Sequence, residues 1–316
     1  MRWPTAIFFV VVGTFLAGAN IALAGEVLEV LPCAIPEDQV TPTVSGEEGI
    51  KGCTTLIQSG RYKGKDLASL YFQRGNIHFL MRNAKPAIAD YTQAIALRKD
   101  FDHAYGRRAD AYLLLGDTKR AIDDYTKAIA LRPKDGSFLY ARARAYRDSG
   151  DLDHALADYG AAIVLEPWNA QYRTERALAL RSKGDNEGAL ADYTEAARLD
   201  PKNFEAVSQV CILTLQLREP NAAVDKCSGA VNMRPNSPMV IEMRGFAYLK
   251  MGRLKEARRD FDAALKLDPH SPNALYGRGL VKLRTGDKAG GDADIAAAKT
   301  YNANIAKNVA VYGVAP

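Results

Sequence analysis

The sequence predicts an all-α fold, a solenoid of paired helices, and three observations carry that prediction. One 34-residue unit recurs seven times without a gap between residues 68 and 305. Each copy has an aromatic column, Tyr91, Tyr125, Tyr159 and Tyr193, continued at the same spacing by Cys227, Phe261 and Ile295. Two small-residue columns flank it. One holds Ala87, Ala121, Ala155, Ala189, Ala223, Ala257 and Gly291, the other Ala94, Ala128, Ala162, Ala196, Ala230, Ala264 and Ala298. A fixed period of this size marks a repeat architecture in which each unit buries its apolar face only against its neighbours.

The N-terminus reads as a segment apart. Arg2, an apolar run from Ala6 to Leu16 and Ala22-Leu23-Ala24 before Gly25 have the anatomy of a secretory signal peptide over residues 1–24. The run is shorter than the roughly 20 residues of a spanning helix. The expectation is an exported chain with no membrane span after cleavage, periplasmic in a Gram-negative bacterium and otherwise secreted. Residues 25–46 read as an irregular mature N-terminal segment. Within 47–67, Ile50, Cys53, Leu56 and Ile57 make one short amphipathic helix, a half-repeat capping the array.

The seven repeats follow at 68–101, 102–135, 136–169, 170–203, 204–237, 238–271 and 272–305, before a tail at 306–316. In the second, Tyr105, Ala109 and Tyr112 share one face of a first helix, and Ala121, Tyr125 and Ala128 one face of a second. Gly116-Asp117 separates them. The glycine supplies a left-handed stop and the aspartate a cap for the next helix. The same pair recurs at Gly150-Asp151, Gly184-Asp185 and Gly286-Asp287, and is replaced by Arg82-Asn83 in the first repeat. Pro133, Pro167, Pro201, Pro235 and Pro269 close five repeats, because proline cannot donate the next helical hydrogen bond.

These columns resemble the tetratricopeptide repeat (TPR) family over about three quarters of the chain. The resemblance implies a right-handed superhelical solenoid whose first helices line a concave groove for a peptide or partner segment. The opening Gly52-Cys53-Thr54-Thr55-Leu56-Ile57 and the ending Ala293-Asp294-Ile295-Ala296-Ala297-Ala298-Lys299 are also similar to those of exported alphaproteobacterial TPR proteins. Carried over by column, the groove candidates are Asn76, Phe79, Arg107 and Asp110 early and Tyr140, Arg144, Arg147 and Arg181 at a basic centre. Met239, Met243, Phe246 and Tyr276 form an apolar end. Such a groove suits an acidic, partly apolar segment, since arginine forks onto carboxylates. The alternative for each is a solvated charge or a packing side chain.

The fifth repeat departs from the pattern. Arg74, Arg108, Arg142, Arg176, Arg244 and Arg278 share a first-helix position, and Asp90, Asp124, Asp158, Asp192, Asp260 and Asp294 a second-helix position. The fifth repeat has Val210 and Lys226 there, with Cys211 and Cys227 one residue on. Four cysteines allow three pairings, of which proximity and an oxidising compartment favour Cys33–Cys53 and Cys211–Cys227. The expectation is that the second bridge replaces an Arg–Asp pairing used elsewhere. Reduced core thiols, and recurring acids that are merely solvated, are the alternatives.

No constellation for catalysis is visible. His78, His103, His154 and His270 are scattered over different repeats, and no zinc spacing or phosphate-binding glycine loop occurs. The formal charge of +5 is spread along the repeats, unlike the clustered basic face of a nucleic-acid binder. No enzyme activity, cofactor, metal or nucleic acid is expected. The function that fits is an exported scaffold binding a protein or peptide. The alternatives are an envelope protein binding glycan or an acidic ligand, and an accessory subunit of an envelope enzyme.

Overall fold

The computed structural model describes Cys33 and residues 46–314. The expected signal peptide, and the segment that follows it apart from Cys33 and Gly46, lie outside the described residues. Among the described residues sixteen α-helices follow one another and no strand occurs. The chain divides after Lys99 into two compact units.

The first unit contains α1 (Gly46–Gln58), α2 (Gly64–Leu80) and α3 (Ala84–Leu97). Cys53 on α1 is fully buried and bonded to Cys33, with Leu70, Leu56, Ile57, Tyr62 and Ile77 packed around the bridge. The half-repeat is thus a single helix tied down by its cysteine. The first helix of the first repeat, α2, starts at Gly64, four residues before the repeat boundary at 68. Gly75 lets α2 approach α3 closely: a Cβ there would sit 2.7 Å from the Tyr91 ring. Arg82 takes the place of the turn glycine at φ 60°, a left-handed conformation that costs a side chain free energy.

The second unit holds six helix pairs. They are α4 (Asp102–Leu114) with α5 (Thr118–Leu131), α6 (Gly136–Asp148) with α7 (Leu152–Leu165), and α8 (Ala170–Lys183) with α9 (Asn186–Leu199). Then come α10 (Phe204–Leu217) with α11 (Pro220–Met233), α12 (Pro238–Lys250) with α13 (Leu254–Leu267), and α14 (Pro272–Arg284) with α15 (Lys288–Tyr301). A short α16 (Ile305–Ala310) follows. The punctuation works as its chemistry predicts. Gly116, Gly150, Gly184 and Gly286 have φ between 75° and 89°. Asp117, Asp151, Asp185 and Asp287 each accept a hydrogen bond from a backbone amide in the first turn of the next helix. Tyr125, Tyr159, Tyr193, Cys227 and Phe261 are buried against alanine columns that are fully inaccessible. Small side chains allow the close crossing, and the larger column fills the gap beside it.

The charged columns are paired, which overturns the solvated reading of the acids. Arg74, Arg108, Arg142, Arg176, Arg244 and Arg278 each grip the aspartate sixteen residues on through Nε and Nη2, all at 2.6–2.9 Å. The six aspartates are only 2–8% exposed. A carboxylate so placed is stable only because a forked guanidinium satisfies both oxygens. Some arginines also reach the preceding repeat: Arg142 donates to Thr126 and Arg278 to Asp262. In the fifth repeat Cys211 and Cys227, also sixteen apart, are bonded with their Cα atoms 4.6 Å apart.

Candidate functional site

The first-helix residues expected to line a groove fall into two classes. Some are tied to neighbours yet reachable; others are core. In the first unit Asn76 accepts a hydrogen bond from the Tyr91 hydroxyl at 2.8 Å, and Phe79 is half-buried. In the second unit Asp110 occupies the same column and accepts from the Tyr125 hydroxyl at 2.5 Å. Burial pushes the Asp110 carboxyl above its ordinary value, against the Tyr125 hydrogen bond and the Arg107 charge. Arg107 is exposed and reaches Asp110 at 3.3 Å.

The centre of the face lies on α6 and α8. Arg144 is exposed, lies 5.8 Å from the centroid of the Tyr140 ring, and has no acidic partner at salt-bridge distance among the described residues. Tyr140 stacks on Tyr172 at 4.9 Å and accepts from Gln171. Arg147 is clamped between Asp148 and Glu175, and Arg181 donates to Gln209 at 2.6 Å. Of the four arginines named for this face, Arg107 and Arg144 are therefore the ones with guanidinium surface open to a ligand.

A feature that sequence reasoning missed lies directly beneath. The hydroxyls of Tyr159 and Tyr193 are buried and find no acceptor among the described residues, although the Arg181 guanidinium approaches the Tyr193 oxygen as a donor. The column explains it. Fifteen residues before Tyr91 and Tyr125 stand Asn76 and Asp110, which accept; fifteen before Tyr159 and Tyr193 stand Arg144 and Leu178, which cannot. Burial pushes the Tyr193 phenol up to about 12, against the charge of Arg181, and raises Tyr159 likewise. Comparing those two columns would have exposed this in the sequence.

The apolar end is not an open surface. Met239 is 40% exposed, but Met243 and Tyr276 are each 2% exposed and Phe246 is fully buried, so the three are core residues. The tail contributes: Ile305, Val309 and Val314 join the same apolar cluster, and Tyr312 stacks on Phe246 at 5.4 Å.

The fifth repeat carries a cavity of about 420 Å³ lined by Thr194, Ala197, Val207, Val210 and Lys226 among others. It lies where Val210 and Lys226 replace the arginine and aspartate of the other repeats. Among the described residues no three His, Cys, Asp or Glu side chains converge as a metal site would need. No helix among them is long and apolar enough to cross a membrane. His154 is at the surface beside Asp151, and burial lowers the His78 imidazole.

Comparison with known proteins agrees with this architecture. Tetratricopeptide repeat models match residues 68–101, 103–135 and 140–204, and a TPR repeat model matches 245–286. None of these matches covers 205–244, a stretch that includes Val210 and Lys226 of the fifth repeat. No curated protein matches the chain. Among solved structures, YrrB, a TPR protein with an unusual peptide-binding site, is 19% identical with a TM-score of 0.55 over 60% of this chain and 97% of its own. A tetratricopeptide repeat protein from Parabacteroides merdae is 17% identical, with a TM-score of 0.52 over 78% and 99%. PilF of Pseudomonas aeruginosa is 19% identical, with a TM-score of 0.51 over 64% and 92%. At such identities these neighbours speak for the fold alone. Together the family matches span more than half of the chain and fall on its helix pairs, and the chain belongs to the tetratricopeptide repeat family.

Proposed function

We propose that this chain is an exported scaffold that binds an acidic, partly aromatic protein segment on the first-helix face of its second to fourth repeats. The observation that carries the reading is Arg144, an exposed guanidinium over Tyr140 with no carboxylate at salt-bridge distance among the described residues, Asp110 feeling its charge from farther away. Arg107 stands one repeat earlier on the same face. An arginine beside an aromatic ring is the composition that dominates binding energy at protein interfaces. YrrB, a structural neighbour, has a peptide-binding site, which fits a peptide as the ligand class here. Export is supported by the pattern of residues 1–24 and by two bonded cysteine pairs, which suit an oxidising compartment. N-terminal sequencing of the protein made in its native host checks that part: the mature chain should begin at Gly25.

The binding reading is tested by fluorescence anisotropy with labelled twelve-residue peptides, one rich in Glu and Tyr, one with Lys in place of Glu, and one neutral. The acidic peptide should bind best, weaken with salt, and lose about tenfold in affinity with Arg144→Glu, in line with a hot-spot arginine. Equal binding of all three peptides, or no change in the variant, would place the site elsewhere.

A further inference from the structure

The same columns behave differently along the second unit. In the third and fourth repeats, Arg144 is exposed and Leu178 is 37% exposed. In the sixth and seventh, the residues of that column, Phe246 and Leu280, are fully buried and 1% exposed. The neighbouring column changes less regularly: Arg147 and Arg181 are half-buried, Leu215 of the fifth repeat and Leu249 of the sixth are inaccessible, and Leu283 of the seventh is half-buried again. Neighbouring first helices pack on one another in this part of the unit, and the chain beyond α15 adds to the cover.

After Tyr301 the chain turns at Asn302–Asn304 and forms α16, whose Ile305 and Val309 are fully buried. It then runs back over the first helices. The Tyr312 ring stacks on Phe246 of α12, and Gly313 lies against the Lys250 side chain, where an added Cβ would be 3.2 Å from Cε. Val314 is 3% exposed. Burial raises the Tyr312 phenol, with the carboxylate of Glu242 on α12 adding to the effect and Arg181 of α8 opposing it. The segment therefore crosses from the seventh repeat toward the fourth along the face that the family uses for partners.

Its attachment is of one kind. The backbone hydrogen bonds of Tyr312 and Gly313 go to Val309 and Ala310, within the segment itself. Four apolar side chains hold it down, and Val311 and Lys307 between them face solvent. Burial of so few side chains offsets the cost of ordering ten residues only narrowly.

We propose that the first-helix face of the sixth and seventh repeats is a second binding surface, and that residues 305–314 are its resident, displaceable occupant. The surface accepts in their place a partner segment of the same chemistry, an aromatic ring followed two residues later by a β-branched apolar residue, as in Tyr312-Gly313-Val314. A tethered occupant has an effective concentration on the order of millimolar, so an external segment competes only when the tail is weakened or the partner binds more tightly. The surface is separate from Arg144 and does not depend on the acidic partner proposed there.

The test uses a fluorescent peptide with the sequence of residues 302–314 and two full-length proteins, wild type and Tyr312→Asp/Val314→Asp. The variant leaves all seven repeats intact. It should bind the peptide at least about thirtyfold more tightly than wild type, because its own tail no longer fills the face. Equal binding by the two proteins, or binding by neither while the variant keeps its helical circular dichroism, overturns the proposal. Hydrogen exchange on the wild type decides independently of any variant. The amides of 309–314 should exchange much faster than those of α12 and faster still with excess unlabelled peptide. Exchange as slow as in α12 would make the tail a permanent cap. Wild-type dimers growing with concentration in light scattering would assign the occupant to a second copy and overturn the intramolecular assignment.

Discussion

The Tyr159 hydroxyl shows how a single column position trades stability against binding. Tyr125 is satisfied by Asp110, while Tyr159 faces Arg144 at the equivalent spacing and has no acceptor. Arg144→Asp should restore the missing hydrogen bond and raise stability by about 1 kcal/mol in chemical denaturation. The same variant should lose the acidic peptide, so stability and affinity move in opposite directions. A drop in both would mean that Arg144 supports the fold instead. Arg82 offers a second local test. It occupies a left-handed conformation at φ 60°, where glycine stands in every other turn but that of the fifth repeat, whose Arg218 is extended. Arg82→Gly should stabilise the first unit by about 1 kcal/mol, read as a rise in melting temperature. The substitution of the turn glycine was visible in the sequence, but that the backbone keeps the left-handed turn despite it was not. Propensity disfavours that conformation, and the packing of α2 on α3 imposes it.

At the scale of helix pairs, the arginine and aspartate columns act as fixed joints. The sequence showed both columns and the cysteines that replace them, and it framed the pairing correctly. It did not show how deeply the aspartates sit, because a 34-residue period repeats buried and solvated positions alike. Removing one partner of so buried a pair leaves a charge without compensation. Arg142→Ala should therefore cost about 3 kcal/mol, and Asp158→Ala a similar amount. The double variant Arg142→Ala/Asp158→Ala should cost clearly less than the two together in a double-mutant cycle. Strict additivity would show the columns to be independent. The Cys211–Cys227 bridge closes a short loop, and the chain-entropy model gives it about 3 kcal/mol. Cys211→Ala/Cys227→Ala should lose that amount, and with both proteins in reductant, which also opens Cys33–Cys53, the difference between wild type and variant should vanish.

Across the molecule, what the sequence made legible was what repeats, and what it concealed was what happens once. The period fixed the helix pairs, their caps and their small columns. Some departures, such as the fifth-repeat cysteines, were visible too, but what packs against each was not. Met243, Phe246 and Tyr276 have the composition of a binding end, and by type alone they cannot be told from core. They are core because they join one apolar cluster with the neighbouring helices, and a short tail stacks on Phe246 besides. Arg147 and Arg181 looked as free as Arg144, yet Glu175 and Gln209 hold them from the next repeat, at spacings that only stacked first helices bring together. Stability in such an array is a sum of repeats and the interfaces between them. Weakening the fifth repeat should thus broaden the denaturant transition of the second unit and lower its slope, since the helix pairs on either side lose their common boundary. An unchanged slope would show that the unit still unfolds as one.

The exchange of a salt link for a covalent one gives the array two orthogonal sensitivities. Asp294 is held below its ordinary value: burial alone would raise it, but Arg278 and Lys282 outweigh that. Its contribution is present above the unfolded carboxylate value and fades as acid approaches the folded one. Proton concentration thus reaches the joint of the seventh repeat and leaves the fifth untouched, while a thiol reductant does the reverse. Acidification would thus loosen the array at one repeat and a change in redox state at another, through one chain and without a moving domain.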